Sequence, residues 1–231
     1  MSRKKKISNY YKEQEKLRKK QKNEQFYSKL MNILIVVLSI TLVVTVLYLF
    51  LKPAPFDPIV DGEKVTVVMK IKDMGAITLE LYADLAPKTV ENFLKYVNED
   101  FYDGLTFHRV IENFMIQGGD PTGTGQGLAS LPTIKGEFES NGFTNNLAFD
   151  RGIIGMARAK HPDSASTQFF ICHQKSYHLN GEYAAFGRVI DGMDVVDMIA
   201  TCEKDPEIVD DKGNKYAPLE KVIIERIYVV D

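Results

Sequence analysis

The chain has 231 residues, 26% charged and 45% hydrophobic, enough for one folded domain with an appendage. Its net charge of −2 conceals an asymmetry, because residues 1–30 carry eleven Lys/Arg and three Glu, a local charge of +8, which leaves −10 for the remainder. Two cysteines are too few for a disulfide framework, and four scattered histidines without a C-x-x-C pair argue against a structural zinc site. Cys172 follows Phe-Phe-Ile and is predicted to be a buried thiol.

Residues 1–30 are predicted to form a basic, cytoplasmic tail. They contain a basic run at residues 3–6, a second one at residues 18–20, and no Gly or Pro between Tyr10 and Leu30, a pattern compatible with a surface helix. Such runs also occur in nucleic-acid-binding proteins. The apolar segment that follows argues against that function, and no nucleic-acid partner is expected.

Residues 31–51 are predicted to be a single transmembrane helix. From Ile33 to Leu51 there is no charge, Gly or Pro, and a helix of that length spans roughly 28 Å, close to the ~30 Å of a hydrocarbon core. A buried helix of a soluble protein would show a polar stripe, which this segment lacks. A cleaved signal peptide is the other alternative, but its apolar region is shorter and ends in a small-residue cleavage site, which is missing around Pro53.

An uncleaved anchor has consequences for location. The basic flank lies on the N-terminal side, so the positive-inside rule places the N-terminus in the cytoplasm and the C-terminal domain outside it. The predicted localisation is therefore a single-pass protein of the cell membrane with an extracytoplasmic domain, and the lipid bilayer is an expected partner.

Residues 52–64 are predicted to be a linker, because Pro53, Pro55 and Pro58 prevent continuation of the helix. The folded domain then covers residues 65–231. Its strand-like runs are Val65–Ile71, Ala76–Tyr82 and Val222–Val229. Helices are predicted to begin near Pro87 and to cover Met193–Ala200. Many strands, few helices and Gly-rich turns predict a mainly β barrel or sandwich.

Residue patterns of familiar catalytic sites are missing from this domain. There is no Ser in a G-x-S-x-G elbow, and residues 123–127 lack the spacing of a nucleotide-binding glycine loop, so they are interpreted as a bend between strands. His108 and Arg109 lie in a predicted strand and should point to opposite faces.

Five blocks of this domain stand in an order and spacing that together form a signature. They are Phe107–Pro121, Gly123–Gly125, Gly155–Ala159, Ser166–Ile171 and Leu179–Gly181 with Ala185–Val189. They resemble the cyclophilin family of peptidyl-prolyl cis-trans isomerases over about residues 65–231. The resemblance implies an eight-stranded antiparallel closed barrel, capped by two helices, with the active groove on its outer face.

The resemblance also assigns residues to roles. Arg109 matches the family's catalytic arginine, and Gln117 matches a residue that steadies it and binds the substrate backbone. Substrate-binding positions are matched by Phe114, Met115, Gly123, Ala157, Arg158, Ala159, Gln168, Phe170, His178, Leu179 and Tyr183. Proline-containing polypeptides are the implied substrates, and no metal or cofactor is expected.

Three positions depart from the family pattern. Arg158 stands where Asn is frequent, and Tyr183 replaces a His near the proline pocket. His178 stands where many members have the Trp that contacts cyclosporin, and the chain has no Trp. These departures predict a groove with added positive charge and weak cyclosporin binding.

Three functions remain open on the sequence alone. The chain is an isomerase that assists the folding of extracytoplasmic proteins, a proline-segment binding module with little turnover, or a protein in which the basic tail is the functional part. Arg109 favours the first, because a pure binder has no need of a donor directed at the prolyl nitrogen.

Overall fold

The computed structural model describes residue 18 and residues 29–42, 64–210 and 213–230. The chain divides into two compact units, Met1–Pro55 and Phe56–Asp231. In the first unit the described residues are helical and exposed. Ser39 there donates its hydroxyl to the carbonyl oxygen of Ile35 at 2.8 Å, as expected for a serine inside an apolar helix.

Within the described residues, no helix has both the length and the apolar content needed to cross a membrane. The prediction of a transmembrane helix over residues 31–51 is therefore wrong on this finding, and so is the localisation as a single-pass membrane protein. Residues 43–51 of the predicted span and residues 52–63 of the predicted linker lie outside the described residues. A lipid bilayer as partner has no support.

The second unit is mainly β, with two α-helices. The strands are β1 (Lys64–Ile71), β2 (Gly75–Tyr82), β3 (Arg109–Ile111), β4 (Met115–Gly118), β5 (Ile153–Met156), β6 (Phe169–Cys172), β7 (Ala185–Asp191) and β8 (Ile224–Val230). The helices are α1 (Pro87–Asn98) and α2 (Met193–Thr201). The predicted strand and helix positions in this unit are confirmed to within one or two residues.

The eight strands form one antiparallel sheet in the order β3-β4-β6-β5-β7-β2-β1-β8. The prediction of a closed barrel is wrong, because no ladder joins β3 to β8 in the part of the chain that the structure describes. The backbone groups that closure would use are occupied. Val110 in β3 donates its N–H to the carbonyl oxygen of Tyr216 at 2.7 Å. On its side away from β1, β8 is hydrogen-bonded to Gly104 and Leu105 in a loop. The sheet is therefore an open half-barrel.

Alternation along the strands produces two apolar clusters on opposite faces of the sheet. In β6, Phe169 and Ile171 join the main core, whereas Phe170 and Cys172 join a smaller cluster. Helix α1 packs against β2 and β8, and α2 against β2, β3 and β4. Cys172 is fully buried, so the prediction of a buried thiol is confirmed, and burial raises the pKa of this thiol to about 12.

Helix α1 is capped by a residue distant in sequence. Its N-cap residue, Ala86, has no side-chain cap, and Pro87 at the first turn has no N–H to offer. The buried carboxylate of Glu137 accepts hydrogen bonds from the backbone N–H groups of Lys88 at 3.0 Å and Thr89 at 2.8 Å, and from the Thr89 hydroxyl at 2.7 Å. A negative group at the start of a helix also interacts favourably with the positive end of the helix dipole.

Candidate active site

One row of residues crosses four neighbouring strands on the same face of the sheet. Arg109 in β3 pairs with Gln117 in β4, Gln117 pairs with Phe170 in β6, and Phe170 pairs with Gly155 in β5. A Cβ at Gly155 would lie 2.5 Å from the rings of Phe149 and Phe170, so only glycine leaves space for the Phe170 ring. Sheet register thus places a cation, an amide and an aromatic ring side by side.

A chain of hydrogen bonds orients the Arg109 side chain. Arg109 donates from Nη1 to the Gln117 Oε1 at 3.3 Å, Gln117 donates to the Gln168 Oε1 at 2.9 Å, and Gln168 donates to the Gly125 carbonyl at 3.1 Å. Each glutamine side chain accepts a hydrogen bond through its oxygen on the side of Arg109 and donates one through its nitrogen on the opposite side. The three hydrogen bonds are therefore consistent with a single orientation of both amides. The guanidinium is therefore held from one side and has donors left for a ligand.

Burial is the main influence on the Arg109 guanidinium. It lowers the pKa of Arg109, and the nearby Asp210, Tyr183 and Tyr216 partly oppose that effect. Since a guanidinium is a very strong base, Arg109 stays charged at neutral pH. The guanidinium carbon also lies 5.9 Å from the centre of the Phe114 ring. A half-buried, permanent cation beside an apolar surface exerts a strong local field.

Beside Arg109 lies a cavity of about 230 Å³. It is lined by Arg109, Phe114, Met115, Gln117, Ala157, Arg158, Phe170, Leu179 and Tyr183. The Phe170 ring is perpendicular to the Tyr183 ring, with the ring centres 5.8 Å apart, and stacks on the Phe149 ring at 5.4 Å, so these contacts fix the apolar floor of the cavity. The floor belongs to the smaller apolar cluster, and such a cavity accommodates a small apolar ring.

A second cavity of about 460 Å³ shares the walls formed by Gln117, Ala157 and Arg158 with the first. Two further residues assigned to the site, Ala159 and Gln168, line this larger space. The two cavities therefore form one groove along which an extended peptide can lie.

Two of the assigned residues lie outside the lining of both cavities. Gly123 sits in the turn after β4 with a φ of 68°, which favours glycine, and donates its N–H to the Asp120 carbonyl. His178 is exposed, and its ring lies 5.2 Å from the ring of Phe114. It borders the small cavity through Phe114.

A sequence model described as cyclophilin type peptidyl-prolyl cis-trans isomerase/CLD matches residues 66–229. The chain belongs to the cyclophilin family. Its enzymatic activity is peptidyl-prolyl cis-trans isomerisation, and proline-containing peptides are its class of substrate.

Curated cyclophilins and solved structures resemble the same part of the chain. It is 43% identical to peptidyl-prolyl cis-trans isomerase 10 of Caenorhabditis elegans over 156 residues, 67% of this chain and 89% of that protein. It is 46% identical to an Acinetobacter baylyi isomerase over 140 residues, 58% of this chain and 72% of that one. A cyclophilin-type isomerase of Cryptosporidium parvum superposes with a TM-score of 0.64 at 32% identity, over 73% of this chain and 99% of that chain. The same protein was also crystallised in the presence of the dipeptide Ala-Pro.

Arg158 is the cyclophilin departure whose contacts are most extensive. Its guanidinium carbon lies 5.0 Å from the ring centre of Phe138 and 4.7 Å from that of Tyr183. It donates to the carbonyl oxygens of Glu182, Ala159 and Lys160, and lies 3.4 Å from the Glu182 carboxylate. Its charge is therefore engaged by the protein itself, and it joins two loops at the mouth of the small cavity.

Sequence reasoning missed much of the larger cavity of this cyclophilin. Its wall includes Gln126, Gly127, Leu128, Ala129, Leu131, Thr133, Ser164, Ser166 and Thr167. These residues lie in loops without hydrophobic periodicity, and although Ser166 and Thr167 fall inside the Ser166–Ile171 block, they were not assigned to the site. The glycines at 123, 125 and 127, all with positive φ, were the available sign of a shaped loop.

Asp120 organises that loop, and its removal has a pH-dependent effect. Burial raises the pKa of its carboxyl, but hydrogen bonds from Thr122, Gly125 and Gly127 outweigh burial, so the pKa lies below its usual value. The carboxylate therefore stabilises the fold at neutral pH, and this contribution is lost as the pH falls through the lowered pKa. We expect Asp120→Asn to cost about 2 kcal/mol at pH 7.

Urea unfolding of both proteins between pH 7 and pH 3 measures this effect. The difference between wild type and Asp120→Asn should shrink as the pH falls below about 4. A difference that stays constant over the whole range would contradict the assignment.

Proposed function

We propose that the chain accelerates rotation about X-Pro bonds in protein substrates and thereby assists their folding, with Arg109 as the catalytic residue. The observation that carries the proposal is the Arg109 guanidinium, half-buried, held by Gln117 at 3.3 Å, at the edge of an apolar cavity. Because X-Pro isomerisation takes tens to hundreds of seconds unaided, it limits the folding of many chains.

The proposed mechanism follows from the electronic structure of the amide. Resonance keeps the X-Pro bond planar, with a barrier of ~18–20 kcal/mol. In the twisted transition state the prolyl nitrogen regains a lone pair, and a donor directed at that nitrogen binds the twisted state better than either planar state. Arg109 supplies this donor while Gln117 occupies the other side of the guanidinium. No proton transfer or covalent intermediate is required.

The remaining site residues have proposed binding roles. Phe114, Met115, Phe170, Leu179 and Tyr183 surround the proline ring and exclude water, which strengthens the arginine contact. Gln117 and Gln168 hydrogen-bond the substrate backbone. The residue before proline lies along the groove segment formed by Ala157, Arg158 and Ala159 and bounded by the Gly123 loop, and His178 borders the site.

We further propose that residues 65–231 carry the whole activity. Every residue assigned to the site lies between Arg109 and Tyr183. Residues 1–30 and 52–64 are proposed to be a basic tail and a linker without a part in the chemistry.

Exchange NMR on an Ala-Pro-containing peptide tests the proposal with the chain of 231 residues. We expect catalytic amounts of the protein to broaden the paired cis and trans signals, and to shorten the slow proline-limited phase in the refolding of a reporter protein. A protein that shifts the peptide signals without exchange broadening would be a proline-segment binding module, and the enzymatic proposal would fail.

The His178 position leads to a prediction about cyclosporin. His178 is exposed and packs beside Phe114, where many family members present a Trp. Because an imidazole offers less apolar area than an indole, we expect inhibition only at micromolar drug or above. Titration of the isomerase assay measures it, and His178→Trp should gain about tenfold in affinity. Nanomolar inhibition of the unchanged chain would show that this residue does not limit binding.

A further inference from the structure

The turn between β3 and β4 determines where Phe114 enters the small cavity. Three residues connect the strands, and Asn113 among them has a φ of 62°, in the left-handed region that Asn tolerates better than most residues. Phe114 follows immediately, and its ring lines the cavity and lies beside the Arg109 guanidinium. The position of this ring therefore depends on how the turn is held.

A buried histidine holds the turn from outside the cavity. His173, at the end of β6, is 6% exposed and lines neither cavity of the groove. Its ring Nδ1 accepts the backbone N–H of Asn113 at 2.9 Å, and its own backbone N–H donates to the Phe114 carbonyl at 2.9 Å. The same residue thus binds the turn by its ring and by its main chain.

The surroundings of His173 select one form of its ring. Nε2 lies 3.2 Å from a carboxylate oxygen of Asp197 in α2, so the hydrogen belongs on Nε2 and Nδ1 is left as an acceptor. Arg151 donates to the other Asp197 oxygen and to the His173 carbonyl, both at 2.7 Å. The hydrogen bond from Arg151 is the main cause that lowers the pKa of Asp197, so the carboxylate is charged at neutral pH. Asp197 and Arg151 are the charged groups that contact His173.

We propose that His173 is a positioning residue for the proline pocket: the Asp197 carboxylate fixes its ring, and the ring fixes the β3–β4 turn through Asn113, and so the place of Phe114. The inference rests on the proposed function, in which Phe114 binds the proline ring. His173 takes no part in the chemistry itself, since it contacts neither cavity and bond rotation needs no proton transfer.

Two substitutions separate the two sides of the ring. Asn places its Oδ1 where the histidine has Nδ1, so His173→Asn retains an acceptor for the Asn113 N–H and loses the Asp197 contact. Gln places its terminal amide nitrogen near the position of Nε2, so His173→Gln retains a donor for Asp197 and loses the acceptor. The two variants lose one contact each, and differ in which one.

Steady-state kinetics on an X-Pro peptide gives the decisive comparison. We expect His173→Gln to raise KM about tenfold with kcat within about twofold, because the proline pocket is displaced while Arg109 and Gln117 remain paired on β3 and β4. His173→Asn should keep KM within about twofold of wild type. A merely structural role would instead reduce the folded fraction, which lowers the apparent kcat and leaves KM unchanged.

Amide hydrogen exchange provides a readout independent of activity. The Asn113 amide should exchange faster in His173→Gln and at the wild-type rate in His173→Asn. Equal KM values in the two variants, or an unchanged Asn113 amide in His173→Gln, would overturn the inference. If His173→Gln does not fold, Asp197→Ala tests the same point, because without the carboxylate the ring hydrogen is no longer held on Nε2 and can move to Nδ1, which removes the acceptor for the Asn113 N–H. His173→Asn avoids this loss because its side-chain oxygen accepts without Asp197, and an unchanged KM in Asp197→Ala would overturn the inference.

Parallel assays of Arg109→Ala distinguish the two levels of the argument. Loss of activity in Arg109→Ala together with a wild-type KM in His173→Gln would overturn only the role of His173. Full activity in Arg109→Ala would overturn the proposed function on which that role rests.

Discussion

Replacement of Arg109 by Ala should lower kcat/KM by two to three orders of magnitude, equivalent to about 2.7–4 kcal/mol of transition-state stabilisation. The guanidinium is held by Gln117 at 3.3 Å at the edge of the proline cavity, so its free donors are already in place before the amide twists. Because those donors act on the twisted amide, the loss should fall mainly on kcat, with a smaller change in KM. A protease-coupled peptide assay measures both constants.

Arg109→Lys tests whether charge alone is sufficient. Lysine retains the positive charge but has no planar fork that can bind Gln117 and the substrate at once, so we expect kcat/KM to stay at least about tenfold below wild type. Arg226→Ala is a matched control, because this arginine is exposed on β8, outside the lining of both cavities, and forms a long ion pair of 3.8 Å with Asp100. Wild-type activity in Arg109→Ala, or full rescue by lysine, would contradict the proposed mechanism.

Glu137→Ala should destabilise the fold by about 3–4 kcal/mol. The substitution removes the acceptor of three hydrogen bonds at the start of α1 and leaves the N–H and hydroxyl of fully buried Thr89 without it. Burial prevents water from replacing the carboxylate, so the cost exceeds that of an ordinary helix cap. Thermal unfolding should show a melting temperature roughly 10 °C lower.

Glu139→Ala is the matched control for this prediction. Glu139 lies two residues further along the chain and is exposed, so its replacement should change stability by less than about 0.5 kcal/mol. Similar losses of stability in the two variants would show that the hydrogen bonds of Glu137 contribute nothing, and that the loss of a negative charge accounts for the whole effect.

The elements of the folded unit could be predicted because their signals are local. In β2, Ile77, Leu79 and Leu81 alternate with polar residues, and all three are fully buried. Helix α1 begins at Pro87, as its fixed φ favours. The block around Arg109 also indicated the candidate site, since Arg109, Phe114, Met115 and Gln117 all line one cavity.

Two kinds of feature were not predicted correctly: the outcome of the apolar run, and contacts between distant segments. An apolar run over residues 31–51 predicted a membrane span by composition, and no helix of the described chain meets that requirement. Closure of the sheet was predicted from the family resemblance, whereas the N–H of Val110 is bonded to the carbonyl oxygen of Tyr216, more than a hundred residues away. Glu137 caps α1, and His173 accepts a hydrogen bond from the N–H of Asn113. Neither contact could be predicted from a local sequence pattern.

By itself, then, the order of residues determined which stretches are strands or helices, and which arginine stands in the motif for catalysis. When one face of a strand or helix is buried, apolar residues recur with a period of two or of 3.6 residues, respectively. That period can be recognised within a few residues of the chain. Only the tertiary structure decided that the sheet stays open, that the two cavities share a wall, and that a buried histidine accepts the N–H of Asn113 in the turn before Phe114. Those features depend on which groups from distant parts of the chain are brought together in the fold, and no short window of sequence contains both partners.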